Sequence, residues 1–161
     1  MTPKQPYTLL PHKVFRETPD VVFRDITVPE SNAQDLVVHS GPATSPPDDP
    51  KTGAKQFYVH YHQTDNNRVL SGERTFELIN FSWENPYQVV YLTPDSGALV
   101  IPPCTYHRSI SGPNGSMLIN QAIRDNENFN PDYEFKPVSS AEDWLLMEAL
   151  SRGFKVVKTA N

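Results

Sequence analysis

Two stretches decide how this chain is read: Gln56-Phe57-Tyr58-Val59-His60-Tyr61-His62-Gln63, and further along Gly97-Ala98-Leu99-Val100-Ile101-Pro102-Pro103-Cys104-Thr105-Tyr106-His107. The first is rich in aromatic and β-branched residues, the composition of a strand. Side chains along a strand alternate between its two faces. Tyr58, His60 and His62 therefore share one face, and Phe57, Val59 and Tyr61 form the other. Polar groups on one side and bulky apolar groups on the other predict a strand that lines a wet pocket. In the second stretch a short apolar run stops at a double proline, after which His107 returns. The expectation is that His60, His62 and His107 point into one shared pocket.

Around these stretches, strand and turn signals follow closely. Arg68 to Leu70 ends at Ser71-Gly72-Glu73, Thr75 to Asn80 follows, and Tyr87 to Leu92 closes at Pro94-Asp95-Ser96-Gly97. His107 to Ile110 leads to a Gly112-Pro113-Asn114-Gly115 turn and then Met117 to Arg124. Short strands spaced roughly 8–12 residues apart and bounded by turn residues predict a sandwich or barrel. Upstream, Val21 to Val28 and Leu36 to His39 are short β-rich runs, and a proline-rich loop separates them from the main sheet. One helix is predicted near the end, capped by Ser139 or Ser140 and ended by Gly153. Its packed face is expected to carry Trp144, Met147 and either Ala141 or Leu145. The chain reads as a single all-β domain: an arm and edge strands over 1–55, a core over 56–138, and a helix and tail over 139–161.

The 161 residues and 18.2 kDa suit one domain with a real core. Sixteen prolines favour turns between short strands over long helices. The net charge of -5, with no lysine or arginine block, argues against a nucleic-acid partner. The single cysteine, Cys104, allows no intrachain disulfide and favours a reducing compartment. No apolar run approaches the ~20 residues of a membrane span, and Met1 to Leu10 lacks a signal-peptide core. A cytoplasmic protein with no membrane partner is expected.

His60-x-His62, followed by Asp65 and Gly72, resembles the first cupin motif, and Pro102-Pro103-Cys104-Thr105-Tyr106-His107 resembles the second. Asp65 stands slightly early for the usual glutamate, whose places hold Asn66 and Asn67, and Cys104 replaces the usual glycine. The Pro94 to His107 segment is similar to the P-x-x-G-L-x-I-P-P-x-x-W-H segment of nucleotide-sugar 3,4-ketoisomerases. Phe129-Asn130-Pro131-Asp132-Tyr133-Glu134-Phe135 resembles the F-D-P tail of the sugar epimerase and ketoisomerase cupins. That RmlC-like branch includes the dTDP-4-dehydrorhamnose 3,5-epimerases. The resemblance implies a cupin double-stranded β-helix, a jelly-roll barrel, with one C-terminal helix.

It also implies proton transfer beside a ketone on a nucleotide-linked sugar. A histidine is suited to this work because its pKa lies near the operating pH. His60, His62 and His107 are the candidate bases. Tyr58 or Tyr106 is the candidate acid or enolate-stabilising donor. Arg68 is a candidate for a diphosphate, through its fork of donors, and Gln63 is a further substrate-binding candidate. This leading reading requires no cofactor. A second reading places a divalent Fe, Mn, Ni or Zn ion on His60, His62, Asp65 and His107, as in a cupin dioxygenase or metal-dependent isomerase. A third is a non-catalytic ligand binder. The expected partners are a small sugar-derived substrate and a second copy of the chain, paired in a homodimer through the Val21 to Val28 edge. His12 and His39 receive no role.

Overall fold

The computed structural model describes residues 6–158, with side chains through 155. The first five residues of the expected arm and the last three of the tail lie outside that range. The elements in order are β1 (Thr8–Leu10), β2 (Lys13–Thr18), β3 (Val21–Asp25), β4 (Ala33–His39), β5 (Ala43–Ser45), β6 (Gln56–Val59), β7 (Gln63–Ile79), β8 (Tyr87–Leu92), β9 (Ala98–Ile101), β10 (Tyr106–Arg124), α1 (Pro131–Glu134), β11 (Val138–Ser139), α2 (Trp144–Ser151) and β12 (Lys155–Lys158).

Two long antiparallel strands, β7 and β10, belong to both layers of a folded sheet. The first half of β7 pairs with β9 and with the second half of β10, and the second half of β7 pairs with β8 and with the first half of β10. β1 and β4 extend the first layer, and β5, β6 and β12 extend the second. The sequence reads each long strand as two strands with a turn between them. The structure keeps each strand continuous and bends it instead. Register slips between Ser111 and Ser116, where Gly72 and Gly115 meet with positive φ. A Cβ on Gly72 would come within 2.5 Å of the Gly115 carbonyl oxygen, so the crossing requires glycine.

The bend brings alternate side chains of both layers together. Val69, Leu99, Ile101 and Leu118 from one layer pack against Phe76, Leu78, Val90 and Leu92 from the other. A second apolar cluster lies outside the roll, where Phe57, Ile79, Tyr87 and Val89 receive Leu146 and Ala149 of α2. The helix packs on the barrel as expected, but on a different face. Asp143 is its N-cap, and Trp144, Leu145 and Met147 are exposed while Leu146 and Ala149 are buried. The apolar residues of this helix occupy most of its circumference, so the pattern alone does not select the packed side. Gly153 follows the helix at positive φ, as expected. Strand β3 forms a two-stranded hairpin with β2, apart from the main sheet.

Candidate active site

Inward-facing positions at one end of the roll are polar rather than apolar. Asp65 and Asn67 continue the inward face of Val69 on β7, and His107 and Ser109 do so on β10. Tyr58 lies directly opposite His107 across the β6–β10 pair, with their rings 6.4 Å apart. These groups border a cavity of about 140 Å³. Such a volume is small beside the ~300–1,000 Å³ that encloses a whole drug-sized ligand. It suits one sugar-sized ring, with any larger appendage outside.

Asp65 is the centre of the site. It is 3% exposed, and Oδ2 lies 3.4 Å from His60 Nε2 and 3.5 Å from His107 Nε2. Its Oδ1 accepts hydrogen bonds from Gln63 Nε2 at 2.6 Å and Asn120 Nδ2 at 2.9 Å. Burial alone would raise its pKa, but His60, His107 and Asn120 outweigh burial and hold the carboxyl at about 2. Gln63 is held in turn by Arg124 Nε, which donates to its Oε1.

The two imidazoles are oriented from behind. His60 Nδ1 lies 2.9 Å from the Glu134 carbonyl oxygen, and His107 Nδ1 lies 3.0 Å from that of Thr105. A carbonyl only accepts, so each ring carries a proton on Nδ1 and presents Nε2 to Asp65. Their environments push them apart. Burial opposes charge on His60, but hydrogen bonding and charge from Asp65, with help from Glu134, raise its pKa overall. Burial depresses His107, and the neighbouring His60 adds to that against the pull of Asp65. The two rings are thus biased in opposite directions, His60 toward keeping a proton and His107 toward giving one up, a division suited to acid–base chemistry.

His62 is not the third member of this group. β6 stops at Val59, and β7 begins only at Gln63. Between them Tyr61 and His62 donate their backbone N–H groups to the Glu134 carboxylate at 2.7 and 2.9 Å. The alternation expected of a continuous strand is lost at this break, and the His62 ring turns to the surface, 39% exposed, with Nδ1 3.4 Å from Glu134 Oε1. The buried carboxylate of Glu134, at the end of α1, thus shapes the whole His60 to His62 segment. Nothing in the spacing of the histidines marks it.

Other expected residues also separate. Tyr106 precedes His107 in β10 and faces the opposite way, toward the outer cluster, with its ring 5.8 Å from Phe81. Burial and a hydrogen bond with Tyr61 push its phenol well above the ordinary value. Arg68 is on the outward face of β7, alternate to Asp65, and does not border the inner cavity. The inner cavity instead contains Arg74, whose Nε donates to Ser116 Oγ at 2.8 Å. Burial lowers the Arg74 pKa to about 10. A sequence signal existed for it: Arg74, Phe76 and Leu78 share one face of a strand. His39 is buried at the end of β4, with Nδ1 2.7 Å from Ser111 Oγ.

The donor set also fits a divalent cation. The ligand atoms of His60, Asp65 and His107 lie within 4.8 Å of one another. Both rings are fixed by backbone carbonyls, the arrangement that orients metal-binding histidines. His62 is not part of this set.

A bent two-layer roll with a polar end of this kind is the double-stranded β-helix of the cupins. Among solved structures the chain is similar to a variant of QdtA, a 3,4-ketoisomerase from Thermoanaerobacterium thermosaccharolyticum in complex with TDP-4-keto-6-deoxyglucose, at 14% identity and TM-score 0.59 over 91% of this chain and 96% of that one. A 3,4-ketoisomerase from Helicobacter canadensis matches at 12% identity and TM-score 0.60, covering 89% and 98%. The dTDP-4-dehydrorhamnose 3,5-epimerase from Elizabethkingia anophelis matches at 11% and 0.61, covering 86% and 77%. No family profile and no curated protein matches the sequence.

Proposed function

We propose that the protein is an isomerase or epimerase that moves a proton beside the keto group of a nucleotide-linked sugar. The observation that carries this reading is the His60–Asp65–His107 arrangement, with the two imidazoles shifted in opposite directions around one buried carboxylate. Similarity to 3,4-ketoisomerases and a 3,5-epimerase across most of the chain supports the substrate class.

In this reading the sugar ring enters the inner cavity and the nucleotide stays at its mouth. His107 Nε2 takes the proton from the carbon next to the carbonyl. Asp65 stabilises the imidazolium as it forms, in a site where little water weakens the attraction. The Tyr58 hydroxyl, bordering the same cavity, donates to the enolate oxygen. The His60 imidazole, 3.4 Å from the shared Asp65 Oδ2, supplies the returning proton, either to the other face of the same carbon or, once the adjacent hydroxyl has passed its proton to the enolate oxygen, to the former carbonyl carbon. Incubation with TDP-4-keto-6-deoxyglucose and related 4-keto nucleotide sugars in heavy water tests the proposal. Deuterium uptake is expected; no uptake with any of them would exclude it.

A second reading rests on the compact His60, Asp65 and His107 donor set. A divalent ion held there would polarise a substrate oxygen as a Lewis acid. Elemental analysis of untagged protein decides it: a stoichiometric metal supports this reading, and its absence from protein that still exchanges deuterium rejects it.

We also propose a homodimer. The β2–β3 hairpin exposes Val14, Phe15, Val21 and Val22, and β4, paired only with β10 among the described residues, exposes Leu36 and Val38. An open strand edge beside exposed apolar residues favours a partner. Sedimentation of the native chain and of Phe15→Asp is expected to give a dimer and a monomer.

A further inference from the structure

The outward face of β7 borders a second, separate cavity. Thr64, Asn66 and Arg68 alternate along the strand with Asp65 and Asn67, so they point away from the inner site. They open into a space of about 450 Å³ between the first layer of the roll and the chain that crosses it near Pro11 and Val28. Val100 and Ile123 give it apolar walls.

Arg68 has no counter-ion among the described residues. It is 3% exposed, yet no carboxylate among the described residues lies within ion-pair distance of it. Its Nη1 donates to His12 Nδ1 at 2.5 Å, and His12 Nε2 lies 2.6 Å from the Pro94 carbonyl oxygen. A guanidinium only donates and a carbonyl only accepts, so His12 turns the lone pair of Nδ1 to Arg68 and the N–H of Nε2 to Pro94. Arg68 Nε is buried with no hydrogen-bond partner. Burial pulls the guanidinium pKa down, as an uncompensated cation requires. The other charged residues at this cavity, Lys13, Asp25 and Glu30, are exposed, and Lys13 and Asp25 face each other across the hairpin. They are solvated at the rim and leave the buried charge unanswered. An unpaired buried charge is costly, so an anion that reached this guanidinium would gain by pairing with it.

We propose that this outer cavity binds a small anion on a compact apolar body, a carboxylate or a phosphate monoester. The anion accepts from Arg68, and the apolar body lies against Val100 and Ile123. The site is distinct from the inner cavity, since the two open on opposite faces of the same strand, and it stands whether or not the inner site acts on sugars.

The test is a titration of the full chain, followed by backbone amide NMR, with benzoate, hexanoate and phenyl phosphate, and with benzyl alcohol as the neutral counterpart of benzoate. At least one anion is expected to saturate, shifting the amides of Thr64, Asn66 and Val100, while benzyl alcohol binds about tenfold more weakly or worse. Arg68→Gln is expected to weaken the anion by about tenfold or more, and His107→Ala to leave it unchanged. If Arg68→Gln does not fold, Val100→Phe keeps the charge but fills the cavity, and should abolish binding. Failure of all three anions to saturate, equal binding of benzyl alcohol, or shifts centred on Asp65 and His107 would each overturn the proposal.

Discussion

Replacing Asp65 with asparagine removes one charge, nearly preserves shape, and strikes the centre of the site. The carboxylate is buried between two imidazole nitrogens at 3.4 and 3.5 Å and accepts from two side-chain amides. Its pKa falls from 3.8 to about 2 in the folded protein. At about 1.4 kcal/mol per tenfold change in proton affinity, that shift corresponds to roughly 2–3 kcal/mol of stabilisation at neutral pH. For a domain of this size the loss lowers Tm by roughly 5–10 °C. The folded pKa lies below the unfolded one, so this stabilisation is fully present above about pH 4 and fades as pH falls toward 2. Thermal unfolding of both proteins, followed by circular dichroism at pH 7 and near pH 2.5, should show a wide gap in Tm that narrows on acidification. Equal Tm values at pH 7, or a gap unchanged by acid, would refute the reasoning that the ionised carboxylate is held by His60 and its two amide donors.

Glu134→Ala leaves the N–H groups of Tyr61 and His62 without their acceptor. At about 1.5–3 kcal/mol for a hydrogen bond to a charged group, urea unfolding should show a loss of roughly 3 kcal/mol or more. Tyr58→Phe should slow deuterium uptake by about tenfold or more, as expected for loss of a donor to the enolate. Tyr106→Phe should leave that rate within about threefold, because its ring packs on the outer cluster; mass spectrometry of the recovered sugar compares the two.

The fold was legible because its signals are local. Strands with period two, the turn at Pro94 to Gly97, and the double proline before His107 survive in the structure. The continuity of β7 and β10 was not legible, because Ser71-Gly72-Glu73 and Gly112 to Gly115 look like turns and serve instead as bends in strands that keep their partners. His107, His60 and Asp65 were identified as site candidates, and the structure brings them together. His62 was misplaced for one reason: the strand rule holds only where backbone N–H groups pair with another strand, and here the distant Glu134 carboxylate takes two of them. Arg68 and Tyr106 lie on the faces of their strands that point away from the inner cavity. Adjacent residues alternate, so His107 inside requires Tyr106 outside, and Asp65 inside requires Arg68 outside. Arg74 followed the same rule toward the interior, beside Phe76, where an isolated charge is easily passed over.

Deuterium uptake by TDP-4-keto-6-deoxyglucose in heavy water, measured for the native protein and for folded His107→Ala, tests the account most directly. The native protein should label the carbon beside the carbonyl, and the variant should do so about 10²–10⁴-fold more slowly, the usual share of a general base. A variant that labels the sugar as fast as the native protein would contradict the assignment of His107 as the base.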